Sequence, residues 1–432
     1  MRKKNKNYKK VLGVIGLGYV GLPLAIEFVR SGYRTIGFDI DEKKVKMLSS
    51  GKTYIKHIGK ERIKGMMETG LFESTSDFLR IGEVDAISIC VPTPLDEHKI
   101  PDLSFVVNSA KAVSENIKKG TLVILESTTY PGTTREVVLP ILGRTGRILD
   151  KDFYLAFSPE REDPGNKKYN TRNIPKVVGG VSVESTRRAV SLYRTIFDKV
   201  VEVSSSEVAE ASKLLENTYR SVNIALVNEL KIIFDRMGIN IWEVIESAKT
   251  KPFGYTPFYP GSGLGGHCIP IDPFYLSWKA KEFGINTRFI ELAGEINTSM
   301  PEYVISKTIS ALNNHKKSIR GSNILVIGIA YKKDIDDARE SPGIRILELL
   351  MERGANISYH DPYIPEIKGL RQTDLAMESV VLTDELLLKQ DAVIISTAHS
   401  NIDYEKIYKH SLLIIDTRNA FFDIKDDKKI IT

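Results

Sequence analysis

Cysteine is scarce in this chain: Cys90 and Cys268 are the two among 432 residues. Two thiols exclude a disulfide framework and a zinc site built on cysteine pairs, and they fit a reducing cytoplasm. No stretch approaches the roughly 18 uninterrupted apolar residues that a membrane span requires, so no membrane association is expected. The opening segment MRKKNKNYKK is charged and has no signal-peptide core. A basic tail of this kind reads as solvated, and nothing else in the sequence supports nucleic-acid binding. Neither sign of charge dominates. Lys and Arg number 61 against 55 Asp and Glu, a net charge of +6, and such a mild excess suits an anionic small molecule. Low-complexity segments and short-period repeats are also missing.

What is present is ordinary globular material: 42% hydrophobic and 27% charged residues, with a length that implies two to four domains. Val11 to Ile15 reads as a short buried strand, Leu22 to Arg30 as a helix ended at Ser31-Gly32, and Thr35 to Phe38 as a second strand. VDAISICVP, TLVILESTT and FYLAFSPE each read as a strand running into a loop. This alternation predicts a parallel sheet with helices on both faces. From about Glu207 to Gly238 the pattern changes to one long helix without proline, spanning roughly 45 Å. A helix of that length bridges domains or builds a dimer interface. From NILVIGIAYKK onward a second strand–loop–helix–strand unit follows, continued by DAVIISTAH and LLIIDTRN. The expected fold is α/β, with two doubly wound parallel sheets flanking a helical middle.

Gly16-Leu17-Gly18-Tyr19-Val20-Gly21 fits G-x-G-x-x-G. By itself that pattern is weak. Here it follows a strand, opens a helix, and Asp39 closes the next strand. Gly16 makes the tight turn, Gly18 lets a pyrophosphate approach, and Gly21 lets the helix pack on the sheet. The helix N-terminus favours phosphate charge. Asp39 accepts hydrogen bonds from a ribose and repels a 2′-phosphate, so NAD is expected rather than NADP. CVPTP and ESTTYPG end later strands on the edge where such sheets bind ligands, which brings in Thr93, Ser127 and Thr128. Cys90 ends an apolar strand and reads as a core thiol.

GSGLGGHCIPID raises three readings for Cys268. A metal site needs several ligands, and His267 and Asp272 are the candidates near it in sequence. A core cysteine belongs in an apolar period, which this one lacks. A nucleophile needs a thiolate supported by positive charge and oriented N–H groups. On the long helix Lys213 and Asn217 lie four apart, on one face. A lysine and an amide presented together suit an oxyanion site; a solvated helix face is the plain alternative.

Five motifs in order, GLGYVG, FSPEREDPGN, SKLLENTYR, GLGGHCIPIDP and GIAYKKDIDDARES, resemble the nucleotide-sugar 6-dehydrogenases of the UDP-glucose and UDP-N-acetylhexosamine group. The resemblance runs from about Val11 to Asn419. It implies two Rossmann-like domains joined by a helical central one: residues 1–205 binding NAD, 206–305 for dimerisation with the catalytic cysteine, and 306–432 binding the UDP-sugar. It implies oxidation of a C6 alcohol to a carboxylate with two NAD⁺. Cys268 is then the nucleophile, Lys213 and Asn217 stabilise the oxyanion, Asp272 activates water, and Glu160 and Thr128 match the base and water-holding positions. Tyr19 and Val20 join the cofactor turn. FYPGSGLGG matches the loop that wraps the substrate pyrophosphate, through Tyr259, Gly261, Gly263 and Gly265, with Ser262 where proline is expected. Lys332, Arg339 and Arg418 resemble UDP-binding positions, with surface charge as their alternative. A homodimer or higher homo-oligomer and a cytoplasmic location are implied, and no metal.

FSPEREDPGN, YIKHI and HCIPIDPFYLSWKA look most like the UDP-N-acetylglucosamine branch, with Arg161 facing the N-acetyl or ring hydroxyl groups and the product feeding surface polysaccharide. UDP-N-acetylmannosamine, an epimer at C2, and UDP-glucose remain alternatives. A non-catalytic NAD or nucleotide-sugar sensor is the alternative of another class.

Overall fold

The run VLGVI is buried at every position and forms β1 (Val11–Ile15) at the heart of the first sheet. The computed structural model describes residues 10–55, 58–96, 98–161, 168–266, 269–370, 373–424, 426 and 429–432. Two compact units result: Met1–Glu216 with Phe274–Ile285, and Asn217–Pro273 with Asn286–Thr432.

In the first unit β1 is followed by α1 (Gly21–Arg30), β2 (Arg34–Phe38), α2 (Glu42–Ser49), α3 (Lys60–Glu68), β3 (Phe72–Thr75), β4 (Ala86–Ile89), α4 (Ser104–Asn116), β5 (Thr121–Leu125), α5 (Leu139–Gly143), β6 (Phe153–Phe157), β7 (Lys176–Gly180), α6 (Val183–Tyr193) and β8 (Val200–Glu202). The strands lie in the order β3-β2-β1-β4-β5-β6-β7-β8. All neighbours are parallel except β6 and β7. β4, β5 and β6 are buried at every position, as a sheet covered on both faces requires. Leu22 and Phe28 of α1, Ile63 of α3 and Tyr193 of α6 pack on one face. Val106 and Val113 of α4 and Leu142 of α5 pack on the other. Strand order reverses beside β1, so the loops after β1 and β4 open at a ligand crevice.

The long helix expected over residues 207–238 is α7 (Ser206–Met237), and the boundary of the units falls within it. Gly238, at φ +68°, ends it in the left-handed conformation that glycine adopts without steric cost. Next come α8 (Ile241–Lys249), α9 (Asp272–Lys281) and α10 (Arg288–Asn314). The rest of the chain runs β9 (Asn323–Ile327), α11 (Pro342–Glu352), β10 (Asn356–His360), β11 (Glu366–Ile367) and β12 (Met377–Glu378), which pair only as a separate antiparallel ribbon, α12 (Asp384–Leu388), β13 (Ala392–Ile395), α13 (Tyr404–His410), β14 (Ile414–Asp416) and β15 (Ile430–Ile431), and the other five strands form the second sheet. Its order, β10-β9-β13-β14-β15, is parallel throughout. The architecture is α/β, with a sheet parallel but for β6–β7 in the N-terminal part of the chain, a fully parallel one in the C-terminal part, and helices in the middle.

The second sheet repeats the turn of the first. Gly16 N–H donates to the Phe38 carbonyl at 2.8 Å, and Gly328 N–H to that of His360 at 2.9 Å. Leu17 N–H donates to Asp39 at 2.9 Å, and Ile329 N–H to Asp361 at 2.7 Å. The copies differ in what faces the aspartate. The fully buried His399 accepts Asp334 N–H on Nδ1 at 2.9 Å, so its proton sits on Nε2, 3.1 Å from Asp361. Burial pushes the Asp361 carboxyl up, but His399 and the backbone N–H groups more than offset it and hold it below the usual carboxylate range. Asp361 is therefore closed off by protein.

Candidate active site

In the first turn, two glycines are demanded by protein and one is not. Gly16 sits at φ +88°, and a Cβ there would lie 2.5 Å from the Cys90 carbonyl oxygen. A Cβ on Gly21 would collide with the Gly16 carbonyl. Around Gly18 nothing lies within 4 Å of where a Cβ would be, and its φ is outside the left-handed range. Protein contacts do not explain that missing side chain, and the open space leaves room for a pyrophosphate against the backbone. The turn thus fits a dinucleotide. Gly18→Ala is expected to leave the melting midpoint within about 2 °C and to weaken NAD binding about tenfold, one step of roughly 1.4 kcal/mol. Gly21→Ala is expected to cost about 3 kcal/mol or more through overpacking. Thermal unfolding and an NAD titration of both variants check this; unchanged affinity in Gly18→Ala would give that space to something else.

Asp39, 6% exposed, accepts N–H groups from Leu17 and Asp41, each at 2.9 Å, and Lys44 Nζ lies 3.8 Å away. Tyr54 closes the same turn by donating its hydroxyl to the Leu17 carbonyl. Tyr19 is exposed and Val20 half-buried, just ahead of α1. Thr93 is buried, and its carbonyl accepts the Tyr275 hydroxyl at 2.7 Å. The Ser127 hydroxyl donates to the Val91 carbonyl at 2.7 Å and accepts the Val91 N–H at 2.9 Å, so it joins the loops after β4 and β5. Thr128 follows half-buried. Cys90 is buried, and burial with the nearby Glu126 charge pushes its thiol well above the ordinary range, which leaves it an inert core thiol.

Two pairs of the expected catalytic residues are seen, one in each unit. In the first, Lys213 Nζ donates to the Glu160 carbonyl at 2.6 Å and lies 3.8 Å from its carboxylate, with 7% of the lysine side chain exposed. In the second, Asn217 donates to Asp272 at 2.5 Å, and both are buried. Lys213 and Asn217 share α7, one turn apart. Asp272 is the first residue of α9, where a negative charge is favoured by the helix dipole. His267 and Cys268 lie outside the described residues, as do 162–167 of the FSPEREDPGN motif and Lys56 and His57 of YIKHI. Arg161 pairs with Glu216 at 2.7 Å and donates to the Pro175 carbonyl at 2.8 Å.

The glycine-rich loop after α8 is packed by the second unit itself. A Cβ on Gly261 would strike the Arg418 guanidinium, one on Gly265 would lie 2.6 Å from Tyr331 Cβ, and one on Gly266 would lie 2.7 Å from the Tyr331 ring. Gly263 sits at φ +131° against the Asn297 carbonyl. The Gly261 N–H donates to Asn228 at 3.0 Å, and Asn228 donates to Asn297 at 2.9 Å. Ser262 is buried with its hydroxyl 3.2 Å from that of Ser396, a tie in place of a proline's rigidity. Tyr259 is exposed, stacks on Trp242 and donates to Glu246 at 2.6 Å. Lys332 is half-buried. Arg339 pairs with Asp337 at 2.6 Å. Half-buried Arg418 donates its Nε to the Ser396 carbonyl at 2.8 Å. Tyr275, Asn228 and Asn297 escaped the sequence reading because nothing local marks a polar side chain whose partner is far away in the chain.

Among the described residues, no group of three or more His, Cys, Asp or Glu could hold a metal, and no helix is long and apolar enough to cross a membrane. Taken together, the fold and the first turn fit a protein with a dinucleotide-binding domain. The chain belongs to the UDP-glucose/GDP-mannose dehydrogenase family: residues 10–197 match its NAD binding domain, 207–299 its central domain and 325–423 its UDP binding domain. It is an NAD-dependent UDP-sugar dehydrogenase. It is 35% identical to a UDP-N-acetyl-D-glucosamine 6-dehydrogenase of Pseudomonas aeruginosa, over 97% of this chain and 99% of that protein. It is 37% identical to a UDP-N-acetyl-D-mannosamine dehydrogenase of Pyrococcus horikoshii, over 94% of this chain and 95% of that one. A solved structure of a UDP-D-ManNAc dehydrogenase from Pyrococcus horikoshii superposes with a TM-score of 0.87 at 33% identity, covering 96% of each chain.

Proposed function

We propose that the chain oxidises C6 of a UDP-N-acetylhexosamine to the uronate through a covalent adduct on Cys268, with UDP-N-acetylglucosamine as the favoured substrate. Relatives named for the glucosamine and the mannosamine sugar match about equally well, so the preference rests on the sequence motifs around Glu160 and Tyr54. The observation that carries the chemistry is the pair of held carboxylates: Glu160 beside Lys213, and Asp272 bonded by Asn217. A carboxylate and a cation lie near each other in one pair, an amide donor and a carboxylate in the other, and groups of these kinds suit acid–base and oxyanion chemistry.

The Gly16–Gly21 turn and Asp39 would hold NAD, which would supply the hydride acceptor for both oxidations. The chain's own groups do the rest. Cys268 adds as thiolate to the C6 aldehyde, forming a carbon–sulfur bond and a thiohemiacetal alkoxide. Lys213 and Asn217 hold that negative oxygen. Loss of the remaining C6 hydride leaves a thioester. Asp272 takes a proton from water as its oxygen adds to the thioester, and the carbon–sulfur bond breaks to give the uronate and free Cys268. Glu160 is the base that takes the C6 hydroxyl proton as the first hydride leaves and the aldehyde forms, and Thr128 holds the water in place. Arg161, Tyr259, Gly261, Gly263, Gly265, Lys332, Arg339 and Arg418 are assigned to the UDP-sugar, and Tyr19, Val20, Thr93 and Ser127 to the cofactor. Residues 1–205, 206–305 and 306–432 are assigned to cofactor, catalysis with dimerisation, and UDP-sugar.

NADH formation at 340 nm with UDP-N-acetylglucosamine, UDP-N-acetylmannosamine and UDP-glucose tests this reading. Two NADH per sugar, fastest with the glucosamine, is the expected result. No absorbance change with any of the three would leave a non-catalytic sensor as the better reading. The same reading includes a homodimer. Tyr219, Leu226, Ile233 and Met237 stand exposed on α7 at spacings of seven, seven and four residues, from 43% to 62% open, and such an apolar stripe pairs with a second copy. Leu226→Glu is expected to convert dimer to monomer in light scattering at micromolar concentration, and a surviving dimer would place the interface elsewhere.

A further inference from the structure

Glu126 follows the last residue of β5, two residues ahead of Thr128. Its carboxylate is 1% exposed and both oxygens are held: one accepts Lys176 Nζ at 2.5 Å, the other the Tyr193 hydroxyl. Tyr193 in turn lies 3.3 Å from the Ser88 hydroxyl on β4. Lys176 opens β7, and its Nζ also donates to the Pro159 carbonyl at 3.5 Å, the residue before Glu160. A buried ion pair therefore joins the two segments that deliver Thr128 and Glu160. Beside it lies a small pocket whose lining includes Glu126, Lys176, Glu160 and Arg161.

Burying an ion pair is a poor route to stability, because two packed apolar side chains of similar volume often do as well or better. A pair retained under a reactive site is better explained by geometry, since each charge accepts its partner in one arrangement. We propose that Lys176 and Glu126 are positioning residues that fix the Thr128 and Glu160 loops against each other. They act through those loops, since the charges engage each other, the Tyr193 hydroxyl and the Pro159 carbonyl. What the loops do rests on the proposed dehydrogenase; the coupling itself does not.

The test compares wild type with Lys176→Arg, Glu126→Gln and the paired replacement Glu126→Leu with Lys176→Met, which removes both charges together. Hydrogen exchange over residues 126–134 and 157–161 is expected to rise at least about fivefold in the paired variant while β1 and β4 stay protected. Its kcat is expected to fall roughly 10–100-fold with the KM for NAD within about twofold, the mark of misplaced groups and intact binding. The acid limb of its kcat–pH profile is expected to move, and Lys176→Arg to keep about half of the wild-type kcat or more. Should the paired variant not fold, Glu126→Gln gives the same comparison at unchanged volume. Wild-type exchange in both segments overturns the proposal, as does a kcat loss matched by an equal rise in KM. A wild type that makes no NADH with any UDP-sugar defeats the proposed function, and the exchange data then decide the coupling alone.

Discussion

Cys268→Ser is expected to stop uronate formation, lowering it roughly 10³-fold or more. The reason is acid–base chemistry. A free thiol loses its proton near pH 8.5 and yields a strong nucleophile at working pH, whereas a serine hydroxyl without a dedicated base stays protonated. Serine's oxygen also makes a poorer leaving group when water attacks the acyl intermediate. The first oxidation needs no sulfur, so the variant should release at most one NADH per sugar and accumulate aldehyde. Product analysis by mass spectrometry with NADH counting measures both. Wild-type yield of uronate from the serine variant would remove the covalent step.

Lys213→Met is expected to lower kcat about 10²–10³-fold, the effect of losing one oxyanion donor, about 2.7–4 kcal/mol. The KM for NAD should stay within about threefold, since the Gly16–Gly21 turn is built without this side chain. Methionine keeps the stem length and the helix propensity, so α7 should persist. Lys213 is nearly buried, held by the Glu160 carbonyl with the carboxylate 3.8 Å off. In the proposed role an ammonium there would act in low dielectric, where a developing alkoxide is stabilised far more than in water. Steady-state kinetics with circular dichroism of the folded variant checks the result. A matched rise in KM with kcat unchanged would make Lys213 a binding residue instead.

The fingerprint turn was legible because its signals are local: a buried five-residue strand, glycines at fixed offsets, an aspartate at the next strand's end. The long helix was legible by period, and its observed bounds, Ser206–Met237, differ from the expected 207–238 by one residue at each end. The order of strands in the two sheets was not readable, since strand pairing is set between segments distant in sequence. Lys213 and Asn217 could be placed on one helix face, but the Asp272 partner of Asn217 stands 55 residues away and only folding joins them. The glycines near Cys268 could be read as room for a ligand. In the fold, Arg418 and Tyr331 press on them, with Asn228 taking one N–H, and nothing around residues 261–266 announces partners that remote. Ser262 likewise departs from an expected proline, and its reason, the Ser396 hydroxyl, lies on the second sheet's side of the sequence.

The account stands or falls on sulfur capture of the half-oxidised sugar. Rapid quenching of the enzyme during turnover with UDP-N-acetylglucosamine and NAD, followed by peptide mass spectrometry, addresses it most directly. A sugar acyl group on the peptide carrying Cys268, absent when NAD is omitted, is the predicted result. An adduct on a different residue, or two NADH per sugar with no adduct at any quench time, would contradict it.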